Sequence, residues 1–523
     1  MICAGLISPV IHNSIPKIYI FINSVAVTPK DNRRRGRRAL FSRGGLCASD
    51  ALGEERILDA ERVFDRPSGA AAFGLVDAGQ NAAEAAANAA AAAFWNWSAC
   101  PAAERASHLS RMAEALDANR PQLVDLAAQE VGAAPAWTQF NIDIALRILR
   151  HAATLPALLA DREVAATDGG CASILRRQAV GVVLGIAPWN APVTLAVRAI
   201  ATPLACGNTV VLKGSEHCPR THRAVIDILN ASGLPAGVAN VVTALPEQSE
   251  LVVNRLIAHP AVRRVNFTGS TRVGRQVAVT AAQHLKRCVL ELSGKAALIV
   301  LEDADLDAAV EAAAHGAFFN QGQICMSTER IILLDGIADE FVARLVTRTR
   351  ELRAADPRRE TAQLGTLIHA AAAERVAALI RDAQDKGAEL LVGGHVEGAV
   401  MQPAVVDHVA SNMAIYHEES FGPVASILRV RDEEEALSIA NDTAYGLASA
   451  IFSRNRDRAL ALAARLETGI CHINGSTVYD DAAMPFGGMK ASGYGRFGGQ
   501  TALDEFTELR WIALHPEGKR HPL

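Results

Sequence analysis

Val182-Val-Leu-Gly-Ile-Ala-Pro-Trp-Asn190 is the stretch on which the fold turns. Its first five residues make a strand with no polar face, and a helical stretch follows from Pro192. The theme returns three times downstream. Thr209-Val-Val-Leu212 precedes a helix over 221–231, residues 238–242 precede one near 247–257, and Arg264-Val-Asn-Phe267 precedes one over 274–284. Continuously apolar strands joined through helices are buried on both faces, as in a parallel sheet covered by helices. Right-handed crossovers then give a doubly wound α/β nucleotide-type fold.

Working outward, Asp77 can cap an Ala-rich helix running to about Phe94, and residues 101–130 and 138–160 read as two further helices. Residues 173–180 alternate like a half-buried strand. On the C-terminal side a second α/β region runs from about 295 to 485. Its strands are residues 296–301, Arg330-Ile-Ile-Leu-Leu334 and Pro423-Val-Ala-Ser-Ile-Leu428.

The chain has 523 residues, half of them apolar, enough for two or three domains. Residues 1–45 carry eight basic residues against Asp31, a net of +7, so the remainder carries −11 of the total −4. An acidic body argues against a nucleic-acid partner. No apolar run reaches membrane-spanning length. The nine cysteines show no C-x-x-C spacing, which fits a reducing, cytoplasmic setting, and no His/Cys cluster suggests a metal. Residues 1–49 read as an atypical, disordered extension. An organelle transit peptide and a polyanion-binding cluster are the alternatives.

Two clusters carry chemistry. Glu291 opens Glu291-Leu-Ser-Gly-Lys295, and Cys325 ends Asn320-Gln-Gly-Gln-Ile-Cys325. A carboxylate beside a cysteine is a base beside a nucleophile, although a lone cysteine is more often a small buried hydrophobe. Phe267-Thr-Gly-Ser-Thr-Arg-Val-Gly274 follows a strand and opens a helix, the setting for a phosphate or an ordinary tight turn. Lys213 and Glu216 end another strand, where they suit a ribose or are merely solvated. Asn190 ends a third strand, as an oxyanion donor or a turn-former. Glu418-Glu-Ser-Phe-Gly-Pro423 is a capped turn or a cofactor clamp. The G-x-G-x-x-G string Gly493-Tyr-Gly-Arg-Phe-Gly498 neither follows an apolar strand nor opens a βαβ unit, so it is not a dinucleotide fingerprint.

Taken together, Pro188-Trp-Asn190, Lys213-Gly-Ser-Glu216, Phe267-Thr-Gly-Ser270, Glu291-Leu-Ser-Gly-Lys295, Gly322-Gln-Ile-Cys325 and Glu418-Glu-Ser-Phe-Gly-Pro423 resemble the aldehyde dehydrogenase superfamily, in family order, over about residues 60–515. The resemblance implies an NAD-binding domain over 50–159 and 182–292 and a catalytic domain over 293–485. It also implies an oligomerisation arm and tail over 160–181 and 486–523, and with it a homodimer or homotetramer. Cys325 would be the nucleophile and Glu291 the general base, with Asn190 and the Cys325 N–H as the oxyanion hole. Lys213 and Glu216 would hold the adenosine ribose, Ser270 would lie by the pyrophosphate, and Glu419 and Phe421 by the nicotinamide ribose. Ile186, Ala187, Pro188, Trp189, Ser215, Gly269 and Leu292 complete the cofactor set. The cofactor would be NAD, with NADP admitted.

Within the superfamily, Asn190-Ala-Pro192, the run 320–330, Met484-Pro-Phe-Gly-Gly488 and Gly493–Gly499 are similar to the salicylaldehyde, vanillin and benzaldehyde dehydrogenases. That implies a small aromatic aldehyde as substrate, with Trp137, Arg198 and Tyr479 around its ring. Two departures stand out. Ser293 replaces the family's first glycine after the glutamate, and Ala199 stands where many relatives carry a lysine. The chemistry would begin with a Cys325 thiolate, which needs a lowered pKa to be abundant. An aliphatic aldehyde or semialdehyde substrate is the alternative, and a non-catalytic binding module on the same fold the remote one.

Overall fold

Strands Val182–Ile186 and Thr209–Lys213 are buried along their whole length and pair in parallel, in a computed structural model that describes residues 79–166, 171–515 and 517. The readings of residues 1–49 and of the Asp77 cap fall outside the described residues. The two strands sit in a six-stranded sheet ordered Gly493–Tyr494, Arg287–Glu291, Val262–Thr268, Val182–Ile186, Thr209–Lys213, Ala239–Val242. All pairs are parallel except the first. From 182–186 the chain winds outward to one side, then returns to 262–268 on the other. This places a topological switch point between those two strands, where doubly wound sheets take their ligands.

The sheet holds two strands beyond the four read from sequence. Arg287–Glu291 has only three apolar residues between charged ends, too short a run to stand out. Gly493–Tyr494, half of the G-x-G-x-x-G string, pairs antiparallel with it, so Gly493 faces Glu291. Gly493 has φ +105°, and a Cβ there would lie 2.0 Å from the Leu290 carbonyl oxygen. The glycine is required for strand pairing.

A seven-stranded sheet carries the second region, in the order Glu389–Val392, Ala404–Asp407, Val424–Val430, Thr328–Leu334, Ala296–Val300, Ala448–Phe452, Ile470–Ile473. Only the first is antiparallel to its neighbour. A three-stranded antiparallel sheet joins Arg162–Val164, Ala172–Ala179 and Thr507–Leu514.

The helical N-terminal part differs in detail from its sequence reading. The Ala-rich helix runs Gly79–Ala99, past Phe94, because buried Trp97 anchors its end and donates to the Leu204 carbonyl at 3.2 Å. Residues 101–130 form two helices, Ala102–Ala118 and Arg120–Val131, broken before Pro121. The next helix is Pro135–Ala152, followed by a 3₁₀ turn Leu155–Leu159 that contains Pro156.

Candidate active site

One cavity of about 600 Å³ opens at the carboxyl ends of strands 182–186, 209–213, 262–268 and 287–291. It gathers every catalytic and cofactor residue expected from sequence: Ile186, Ala187, Pro188, Trp189, Asn190, Lys213, Ser215, Glu216, Gly269, Ser270, Glu291, Leu292, Cys325, Glu419 and Phe421. Ile186, Lys213 and Glu291 end strands of the six-stranded sheet, and the others lie on loops that flank strands of both sheets.

Cys325 sits on the loop between helix Leu306–Phe318 and strand Thr328–Leu334. Asn320, Gln321 and Gly322 take successive positive φ values of 49°, 55° and 69°, which folds the loop back sharply. Two non-glycine residues in the left-handed region cost roughly 1 kcal/mol each. The Gln321 side chain compensates by accepting from Gly365 N–H at 2.8 Å and donating to the Thr366 carbonyl at 2.8 Å. Asn190 Nδ2 donates to the Gln323 carbonyl at 3.0 Å, so one amide proton orients the group and the other remains for a ligand. The Asn190 backbone carbonyl accepts from Trp137 Nε1 at 2.9 Å and from Asn320 Nδ2 at 3.1 Å. Glycine at 294 permits close approach, because a Cβ there would lie 2.4 Å from the Cys325 carbonyl oxygen.

Glu291 is 1% exposed, and neither carboxylate oxygen has a hydrogen-bond partner. Burial raises its pKa to about 7, although the nearby Cys325 thiol, Arg198 and Thr268 pull it back in part. The Cys325 thiol is itself raised well above its ordinary value, by burial first and then by the charge of Glu291. The expectation of a lowered thiol pKa is therefore corrected: the free site holds a protonated thiol beside a carboxylate. The thiolate has to form by proton transfer, for which Glu291 is the adjacent acceptor.

Glu419 is likewise pushed up to about 7, mainly by burial, while Gly294 N–H donates to it at 3.0 Å. Sequence reading missed what holds it. Lys295 Nζ donates to Glu329 at 2.7 Å in a buried pair, and Glu329 accepts from Ser420 N–H, Ser420 Oγ and Phe421 N–H. The only sequence signal was Lys295 itself, inside the Glu291-Leu-Ser-Gly-Lys295 string. Ser293 lines the cavity beside Glu419, and its carbonyl accepts from Ser492 Oγ at 2.6 Å.

Where the sequence reading expects the adenosine ribose, Lys213 Nζ donates to Glu216 at 3.0 Å. Burial alone would raise Glu216, but Lys213 and local hydrogen bonds outweigh it and hold the carboxyl below its ordinary value. Ser270 caps helix Thr271–Gln283, accepting from Val273 N–H, which leaves that helix N-terminus facing the cavity.

The three residues expected around the substrate ring do not line this cavity. Trp137 is buried, stacked on Phe140 at 5.7 Å and edge-on to Phe319 at 5.0 Å. Tyr479 is mostly exposed and packs on His472. Arg198 is buried, forms an ion pair with Asp480, and lies 4.1 Å over the Phe486 ring. Its guanidinium is thus engaged by protein groups, as in an arginine paired at a structural contact. Arg198→Ala would strand Asp480, whose Oδ1 already lacks a partner, as a buried charge. The expected cost is about 3–5 kcal/mol, read as a lower thermal midpoint. An unchanged midpoint would show the pair to be dispensable.

A partly buried thiol, a carboxyl beside it, an amide donor and a helix N-terminus meet in one cleft of a doubly wound sheet, a set suited to covalent carbonyl chemistry. The chain belongs to the aldehyde dehydrogenase family, whose pattern matches residues 60–512. It is 53% identical over 441 residues to a vanillin dehydrogenase of Pseudomonas fluorescens, covering 84% of this chain and 91% of that protein. It is 46% identical over 438 residues to a salicylaldehyde dehydrogenase of Pseudomonas putida, covering 84% and 91%. The crystal structure of a salicylaldehyde dehydrogenase from Pseudomonas putida G7 complexed with salicylaldehyde matches with a TM-score of 0.84 at 45% identity, covering 86% of this chain and 93% of that one. The protein is an NAD(P)-dependent aldehyde dehydrogenase. Among the described residues no helix is long and apolar enough to cross a membrane, and no group of three or more His, Cys, Asp or Glu is placed to hold a metal ion.

Proposed function

We propose that this enzyme oxidises a small aromatic aldehyde of the vanillin, salicylaldehyde or benzaldehyde kind to the carboxylic acid, with NAD preferred. The likeness to vanillin and salicylaldehyde dehydrogenases over more than four-fifths of the chain carries the substrate class. The Trp137–Phe140–Phe319 aromatic group, bonded to the Asn190 carbonyl through Trp137, supports it as an apolar support beside the reacting centre. Arg198 remains assigned to the aldehyde side through its charge, which favours the ionised forms of Glu291 and Cys325, and Tyr479 remains assigned there with it.

The residues present fit a dinucleotide. The cavity volume lies in the usual ligand range, the capped helix N-terminus suits a pyrophosphate, and Lys213 with Glu216 suits ribose hydroxyls. Ile186 to Trp189, Ser215, Gly269 and Leu292 would line it, with Glu419 and Phe421 at the nicotinamide end. When bound, the cofactor supplies a hydride acceptor. Every other step belongs to the chain. Glu291 takes the Cys325 thiol proton, and Sγ attacks the aldehyde carbon. The free Asn190 N–H and the Cys325 N–H hold the oxyanion, worth about 3–4 kcal/mol per donor. Loss of hydride from the thiohemiacetal leaves a thioester on Cys325. Glu291 gives up the thiol proton to solvent and then takes a proton from water; the resulting hydroxide displaces Sγ to release the acid, and that second proton passes to the departing Sγ to restore the thiol.

A panel of aromatic and short aliphatic aldehydes, each run with NAD and NADP, tests this reading. Aromatic aldehydes are expected to give the higher kcat/KM. NAD should exceed NADP, because the charged Glu216 would meet a 2′-phosphate. Preference for a semialdehyde or for NADP would refute the corresponding half.

The division into NAD-binding, catalytic and arm segments, and a homodimer or homotetramer built through the arm, belong to the same reading. Leu509, Trp511 and Leu514 are exposed on the 507–514 strand of the arm, an apolar set that suits burial against a second subunit. Light scattering that returns a monomer at micromolar concentration would overturn it. The seven described cysteines form no disulfide, in keeping with the cytoplasm as the compartment.

A further inference from the structure

His222 is fully buried in the first turns of helix Pro219–Ala231 and does not line the cofactor cavity. Its Nδ1 accepts from Ser215 N–H at 2.9 Å. Ser215 lies in the turn that leaves strand 209–213 and carries Glu216, and both residues line the cavity. The hydrogen bond sets the tautomer: a nitrogen that accepts an amide N–H carries no proton, so Nε2 carries it. Nε2 lies 3.6 Å from Cys218 Sγ. Burial, with Lys213 adding to it, lowers the imidazole pKa to about 4, so the ring stays neutral and the acceptor persists at working pH.

The surroundings are built to keep the ring there. Position 214 is glycine, and a Cβ on it would lie 3.1 Å from His222 Cβ and Nδ1. The helix that carries the ring has no side-chain cap of its own at Cys218. Glu130, from a helix ninety residues earlier, takes its first amides instead, accepting from Arg220 N–H and Thr221 N–H at 2.8 Å and from Thr221 Oγ1 at 2.6 Å.

We propose that His222 is a positioning residue for the cofactor: by holding Ser215 N–H it fixes the turn that aims Glu216 at the adenosine ribose. This role rests on the cofactor site proposed above.

Titration of the full chain with NADH, read by fluorescence without aldehyde, tests it. Asn can place its Oδ1 where Nδ1 now accepts, and Leu cannot. His222→Leu is expected to weaken NADH binding about tenfold or more, and His222→Asn by less than about threefold, the difference being one lost hydrogen bond to a buried amide. At saturating cofactor both variants should keep kcat within about twofold of the parent. Unchanged NADH affinity in His222→Leu, or an equal loss in Asn and Leu, would overturn the role. Should His222→Leu not fold, Gly214→Ala replaces it, since the added methyl presses on the ring; an unchanged Kd there would also overturn it. Failure of the parent chain to bind NADH would strike at the cofactor site itself, which separates the two readings.

Discussion

Cys325→Ala is expected to lower aldehyde turnover by about 10⁴-fold or more while leaving NADH binding within about twofold of the parent. Of the seven described cysteines, Cys325 alone lines the cavity with Glu291 and Asn190. Without Sγ no thiohemiacetal forms, and hydride has no covalent adduct to leave from. The methyl replacement is small and sits on a loop held by Gln321, Gln323 and Asn320 rather than by the thiol, so folding should survive. Steady-state NADH production and a fluorescence titration check the two halves. Near-normal turnover would remove Cys325 as the nucleophile.

Glu291→Gln should separate the half-reactions. If the carboxylate chiefly activates the hydrolytic water, the variant gives a fast NADH burst and then turnover slowed about 10²–10⁴-fold. The raised thiol pKa makes a second outcome specific: because Glu291 also receives the thiol proton, the burst itself should be slower below the thiol pKa and recover as pH rises. In the parent, the base form of a carboxyl with a pKa of about 7 is lost as pH falls through 7, so kcat should show an acid limb there, absent in the variant. Stability provides the control. A carboxyl raised from 4.5 to about 7 on folding supports the fold fully only below about 4.5, and that support is lost as pH rises through 7. At pH 8 the neutral amide should therefore not lower the thermal midpoint. An unchanged steady-state rate would defeat the assignment, and a collapsed midpoint would make the rate loss uninformative about chemistry and contradict the pKa.

Val182–Ile186 was legible because it is a run of buried apolar residues with a clear boundary, and it matches its reading residue for residue, whereas Ala404–Asp407, Ala448–Phe452 and Ile470–Ile473 were not read as strands. Arg287–Glu291 was not, because three apolar residues between charges look like a loop until a neighbour pairs with them. The G-x-G-x-x-G string was set aside on context alone. What it does, edge pairing with the strand that bears Glu291, required the register. Helix ends near Pro121 and Pro156 were readable in principle but lost inside long periodic stretches.

The same division holds at the site. Local patterns in the chain pointed to the doubly wound class and the family, and picked out Cys325, Glu291, Asn190 and the other residues that line the cavity, because each falls in a short motif or at a strand end. Only the tertiary structure decided their electrostatic state. The raised thiol, the carboxyls of Glu291 and Glu419 near 7, the Lys295–Glu329 clamp and the Arg198–Asp480 pair all follow from burial and from neighbours 23 to 282 positions away. A pKa depends on what surrounds a group in space, and that is absent from any local window of sequence.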